Sequence, residues 1–301
     1  MRAADTARLL LLAAIWGGSF LLLRMVAPVL GAMLTAESRV FVAGVALSIW
    51  MAIQGTRTEW RRYALPLLIV AITNSALPFA FFSYAALTLP SGYSAILNAT
   101  APLFSALFAA IFLGERLTPR KLIGLACGIG GVSFLVGLGP IAFDGHVGLA
   151  VASALSGALS YAIASAYVKG LKDPVPPTAM ATGSQVLAAL VLLPLVAVAP
   201  VPSRPDAQTV TLILVSGVVC TAMAYLLYFR LIRDIGPVKA LTVTFLVPLT
   251  ALAWGAVVLD EAITLRTLVG GALVILATWL VLTAGAQAPA TRTAAVPPDA
   301  R

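Results

Sequence analysis

Charge is what this chain has least of. Asp, Glu, Lys and Arg make up only 10% of its 301 residues, against roughly a quarter in soluble domains, so a water-facing globule is excluded. There is one histidine and there are two cysteines. Cys127 and Cys220 both lie in apolar runs, which leaves neither a disulfide framework nor a metal site. His146 stands in a loop beside Asp144 and Gly145. No P-loop lysine motif, H-E-x-x-H or G-x-S-x-G occurs, so an ATP-driven pump or a membrane hydrolase would lack its machinery. No catalytic residues, bound metal or cofactor are expected, and no hydrophilic stretch is long enough to fold by itself.

What is present is apolar. The hydrophobic fraction is 61% and the mean hydropathy +1.03, values that point to an all-α integral membrane protein. A spanning helix needs roughly 20 mainly apolar residues. Ten such stretches follow one another, at about 6–26, 33–53, 63–85, 91–113, 119–139, 147–168, 177–199, 209–229, 236–259 and 265–285. The first begins like a signal peptide but stays hydrophobic long enough to be a span. Residues 286–301, rich in Ala, Pro and Thr, are expected to be a disordered cytoplasmic tail.

The net charge of +8 gains meaning from its placement. With a cytoplasmic N-terminus, the opposite side keeps only Arg24, Arg39, Arg204 and Arg266 of the 19 basic residues. This is the positive-inside bias. It predicts a multi-pass protein of a bacterial-type inner (plasma) membrane with both termini in the cytoplasm, and no nucleic-acid partner.

The chain also repeats itself. Residues 98–129 fall on residues 244–275 with a shift of 146 and no gap. Pro102 meets Pro248, Glu115 meets Glu261, Thr118 meets Thr264 and Gly124 meets Gly270. Weaker matches set Trp16 against Tyr161 and Arg39 against Gln185, and more loosely Tyr84 against Tyr228. Each half holds five predicted spans, an odd number, so the second enters the membrane from the other side. The expected organisation is an inverted pair of five-helix units, 1–139 and 147–285.

Several residues stand out within it. Pro102 and Pro248 lack an amide hydrogen and are expected to kink their helices, freeing the carbonyls of Asn98 and Thr244. Those groups gather hydrogen-bonding capacity where lipid offers none, so they either line a substrate site or meet a neighbouring helix. Trp16 and Tyr161 lie at mid-span rather than at the interfaces, as cavity walls or as packing. Arg39 is expensive in a span, about 2.5 to 3.5 kcal/mol on insertion scales. It either binds a substrate carboxylate or snorkels to the headgroups. Glu115 and Glu261 end helices and are expected to clamp the next helix start or Arg120 and Arg266, with proton relay as the alternative. Gly124 and Gly128 form G-x-x-x-G, for internal packing or dimerisation.

The Trp-Gly-Gly-Ser-Phe of residues 16–20, the internal Arg39 and the helix from Pro102 that ends in Leu-Gly-Glu-Arg-Leu-Thr-Pro at 113–119 resemble the drug/metabolite transporter superfamily, specifically its EamA-type members with two EamA repeats. The resemblance implies a basket of ten helices around a central cavity, with spans five and ten peripheral and alternating access by rocking hairpins. Carried over residue by residue, it implies cavity positions at Trp16, Ser19, Asn74, Tyr84, Asn98, Tyr161, Gln185, Tyr225, Tyr228 and Thr244. It implies a secondary active exporter of small metabolites, amino acids or toxic amphiphiles, and possible pairing of two copies through span five or ten. A lipid or lipid-linked carrier flippase is the alternative, and a non-transporting scaffold the third.

Overall fold

Lipid supplies no hydrogen bonds, so a backbone crossing it must satisfy its own amides, and the helix does this within one segment. The computed structural model describes residues 2–56, 58–112, 117–137 and 144–284, and every regular element among them is helical. Glu115 and the tail 286–301 lie outside the described residues.

Helix α1 is Ala3–Ile53 and α2 is Trp60–Ala85. Next come α3 (Ser91–Asn98), α4 (Ala101–Phe112) and α5 (Pro119–Gly137). Gly145–Lys169 forms α6, Pro177–Val198 α7 and Ala207–Ile235 α8. Val243–Leu259 is α9 and Leu265–Ala284 is α10. Among the described residues, seven helices are long and apolar enough to cross a membrane.

The 51 residues of α1 do not run straight. Gly31 has φ 76 and ψ 166 and separates two arms, with Pro28 just before it. A Cβ at Gly31 would run into the Pro200 carbonyl oxygen, and L-residues rarely adopt this φ, so the bend needs glycine twice over.

Two segments depart from α geometry inside their helices. Ala71–Ala76 in α2 and Val218–Met223 in α8 are π-helical, and single π turns of this kind recur at functional sites. They lie 147 residues apart, which sets Asn74 opposite Thr221 and Tyr84 opposite Leu231. The pairing of Tyr84 with Tyr228 expected from the sequence is therefore wrong in register, because the π turns fix a different one.

The two prolines also differ. The first does not kink a continuous helix: α3 ends at Asn98, the chain turns at Ala99 and Thr100, and Pro102 sits in the first turn of α4, where its missing amide is harmless. Thr278 on α10 donates to the Ala99 carbonyl at 2.7 Å and the Thr100 hydroxyl to the Leu97 carbonyl at 2.6 Å, satisfying groups the break exposes. In the second copy Pro248 remains inside α9, and Thr244 donates its hydroxyl to the Leu241 carbonyl at 2.8 Å.

Packing is long-range. The most extensive helix contacts join α5 with α10, α1 with α7, α8, α9 and α2, and α2 with α6 and α7, followed by α4 with α6. Gly124 and Gly131 lie against Val281 and Leu273, and Gly128 against Leu103 and Ala277, so the small-residue face of α5 is used within the chain. The helix starts are locally encoded. Thr118 accepts from the Lys121 amide at 3.3 Å and Thr264 from the Thr267 amide at 3.2 Å, side-chain caps of the kind expected before Pro119 and Leu265.

Candidate functional site: a chamber closed at one end

The helices enclose a cavity of about 560 Å³, within the range of small-molecule sites. Its inner end carries Trp16, Ser19, Arg39, Asn74 and Phe79, and its mouth is marked by Lys121, Lys169 and Leu241. The mouth residues stand at the start of α5, the end of α6 and just before α9, which is one end of the bundle.

Aromatic rings form much of the wall. Trp16 and Tyr228 have ring centroids 5.3 Å apart, Phe82 stacks on Tyr161 at 6.2 Å, and Phe20 meets Phe82 edge-on at 5.6 Å. Cross-packed rings of this kind present rigid apolar faces. The sequence match of Trp16 with Tyr161 thus corresponds to two side chains that both line the chamber.

Arg39 is only 5% exposed. Its Nε donates to the Thr221 hydroxyl at 2.9 Å and its Nη1 to the Ser19 hydroxyl at 3.2 Å. The guanidinium also lies over the Phe79 ring, 4.2 Å from the centroid, a cation–π geometry that desolvation strengthens. Three segments of the bundle therefore hold the cation in the interior, and it does not snorkel to the helix end. The π turn of α8 matters here, since Thr221, within it, bonds both Arg39 and the Ser216 carbonyl five residues back, at 3.0 Å.

Of the other sequence candidates, Asn98, Tyr225, Thr244 and Pro102 line the chamber. Asn74 does too, and its Nδ2 donates weakly to the Tyr225 hydroxyl at 3.4 Å. The Asn98 Oδ1 is buried without a hydrogen-bond partner. Three candidates stand elsewhere. Tyr84 is 39% exposed on the outside of α2, turned away by the π register. Gln185 is fully buried and donates to Ser75 at 2.8 Å, bracing the π turn of α2 from behind. Pro248 is buried inside α9 and does not reach the lining. Phe20, Phe79 and Phe82 were missed by sequence reasoning, because an apolar ring in an apolar span carries no signal.

The end opposite the mouth is latched. Glu261 accepts from the Ser91 amide at 3.0 and 3.1 Å and from its hydroxyl at 2.7 Å. The expected clamp on the next helix or on Arg266 is corrected by this geometry: Glu261 caps α3, a distant helix start with free amides and a favourable dipole. Asp260 makes the turn possible by taking the left-handed conformation, φ 53. Gly255 leaves the space, since a Cβ there would meet both the Glu261 carboxylate and the Ser91 hydroxyl. Nearby, Arg24 donates to the Ala86 and Leu87 carbonyls at 2.8 and 2.9 Å, and the Ser203 amide to Val29 at 3.0 Å. At the mouth end, exposed ion pairs link Arg8 with Asp234 at 3.3 Å and Arg62 with Asp173 at 2.7 Å.

Apolar helices around a sealed-bottomed, ring-lined chamber define a multi-pass membrane transporter for small molecules. Comparison with known proteins supplies the family. The chain belongs to the EamA-like transporter family, which matches residues 7–137 and 148–283. An uncharacterized transporter of Archaeoglobus fulgidus is 24% identical over 89% of this chain and 94% of its own length. A probable terminal-alkyne amino-acid exporter of Streptantibioticus cattleyicolor is 27% identical over 86% of each chain. A solved crystal structure superposes with a TM-score of 0.62 at 17% identity, covering 93% of this chain and 96% of the other, a likeness of fold.

Proposed function

We propose that the protein is a secondary active exporter of small amphiphilic metabolites, working by alternating access in a bacterial-type inner membrane. The observation that carries this is the asymmetry of the chamber: its lining extends to Lys121 and Lys169 at one end, while Glu261 and Ser91 join helices at the other end, beyond its lining. Such a site, alternately opened at either end, moves a solute without chemistry. The charge distribution supports a cytoplasmic mouth and cytoplasmic termini. The exporter named among the relatives supports the direction.

Ten spans fit this reading. Seven helices meet the length and hydropathy of a span. One of these is α3 taken together with α4, as Ser91–Ile111; Gly31 divides α1 into two arms, each above the roughly 20 residues needed, and α5 and α9, of 19 and 17 residues, complete ten. The paired π turns and the two family matches support inverted units over 1–139 and 147–285. A homodimer would use the outward faces of α5 and α10, where Ile129 and Leu265 are 70% and 76% exposed.

The test compares metabolites in the medium of cells lacking and overproducing the protein. A compound that falls in one and rises in the other is the expected outcome. No oppositely changing compound, together with no counterflow in vesicles, would sink the export reading.

A further inference from the structure

Arg39 is the most deeply buried arginine among the described residues. Arginines at the surface have carboxylates: Arg8 meets Asp5 and Asp234, and Arg62 meets Glu59 and Asp173. Arg39 has none within ion-pair distance among the described residues. Its bonded partners are two neutral hydroxyls, Ser19 and Thr221, which take two of the five donors a guanidinium presents.

A fixed cation in a low-dielectric interior is strongly unfavourable unless it is compensated, and an anion compensates it more fully than neutral hydroxyls do. Two cavities among the described residues touch it: a void of about 10 Å³ beside Thr35, Ser38 and Ser216, too small for an organic ligand, and the chamber of about 560 Å³. Among the described residues that chamber has no Asp or Glu in its lining, and Arg39 reaches it.

The geometry points to an organic monoanion as the substrate class, a carboxylate bound by the free edge of Arg39 with its apolar body on Trp16, Tyr228, Tyr161 and Phe82. This rests on the chamber being the substrate site. A carboxylate matches the planar fork of guanidinium donors in a way that a point charge does not. One deeply placed cation suits one negative charge, and the Phe79 ring over the guanidinium leaves its edge, rather than its face, for the ligand. The inner end thus selects charge and the aromatic wall selects shape and hydrophobicity.

The test uses purified full-length protein in nanodiscs, with binding read from chamber tryptophan fluorescence and from thermal shift. The probes are 3-phenylpropionate, its amide, 3-phenylpropylamine, acetate and chloride. We expect the acid to bind on the order of tenfold to a hundredfold more tightly than the amide, the range for a hydrogen bond to a charged group. The amine should bind no better than the amide, and acetate and chloride should compete weakly. Arg39→Gln should bring acid and amide to equal binding, and Arg39→Lys should keep the sign of the preference at reduced size. Equal binding of acid and amide, or preference for the amine, overturns the inference and leaves the transporter reading standing. Acetate or chloride competing as well as the aromatic acid overturns it in favour of a small inorganic or structural anion. These comparisons need only the unmodified protein, so a poorly folding Arg39→Gln does not remove the test. If no probe of any charge binds, the inference falls, and the transporter reading stands or falls on the metabolite and counterflow measurements.

Discussion

Glu261, at the end of α9, caps the first turn of α3 by accepting both the amide and the hydroxyl of Ser91. The two residues are 170 positions apart, so this single contact ties the end of one apolar hairpin to the start of another.

If the contact is a latch, Glu261→Gln should lower thermal stability by about 1 to 2 kcal/mol, since charge-assisted bonds become neutral ones. Spin labels at Leu87 and Ala262 should then report longer distances at that end of the bundle. An unchanged distance distribution in a destabilised variant would make Glu261 a cap and not a gate.

Gly255→Ala should be strongly destabilising, because its Cβ meets Glu261 and Ser91. In a background of Ser91→Ala with Glu261→Ala the same change should cost much less, the coupling expected of touching residues. Equal losses in both backgrounds, measured by heating in detergent, would place the conflict elsewhere.

Thr278→Val removes the donor to the Ala99 carbonyl and should cost about 1 to 3 kcal/mol, the range for stranding a buried acceptor. Pro102→Ala should be milder, because Pro102 begins α4 and the turn before it is held by Thr100 and Thr278. The reverse order of melting temperatures would restore the proline as the cause of the break.

Orientation is tested with single cysteines in a background lacking Cys127 and Cys220. Residues placed at Gly55 and Lys172 should resist an impermeant thiol reagent in intact cells, and one at Ser203 should react. Labelling at Gly55 without labelling at Ser203 would invert the topology.

Asp206 accepts from the Thr209 amide and hydroxyl at 2.8 and 2.7 Å, and these bonds hold its carboxyl below the usual value. A depressed acid contributes stability above its unfolded pKa and loses it as pH falls through the lowered folded value. The first turn of α8 should therefore fray in acid, seen as a lower protection factor for the Thr209 amide once the intrinsic exchange rate at each pH is divided out, and Asp206→Asn should show no such acid step.

The features written locally were legible in the sequence. Thr118 before Pro119 announced a helix start, and Pro28 with Gly31 fell in the gap between the first two predicted stretches, where α1 bends. The features created by packing were not. A π turn such as Ala71–Ala76 shifts register by one residue without a distinctive side chain, which displaced Tyr84 from its expected place. Glu261 was read as a clamp, but its partner depended on which helix start the fold brings near. Arg39 left two roles open, and only the positions of Ser19, Thr221 and Phe79 around it show that it stays in the interior instead of snorkelling.

The interleaving of α5 with α10, of α1 with α7 and α9, and of α6 with α2 and α4 bears on how the protein is made. A ribosome delivers residues up to 137 first, and their partners lie almost entirely in residues after 144. Until those arrive, the early helices sit in the bilayer with small, polar and cationic groups such as Gly124, Thr100 and Arg39 facing lipid or each other. Insertion of the early helices therefore precedes most of their packing, and a chain stopped at residue 137 would hold Arg39 by Ser19 and Phe79 but without Thr221.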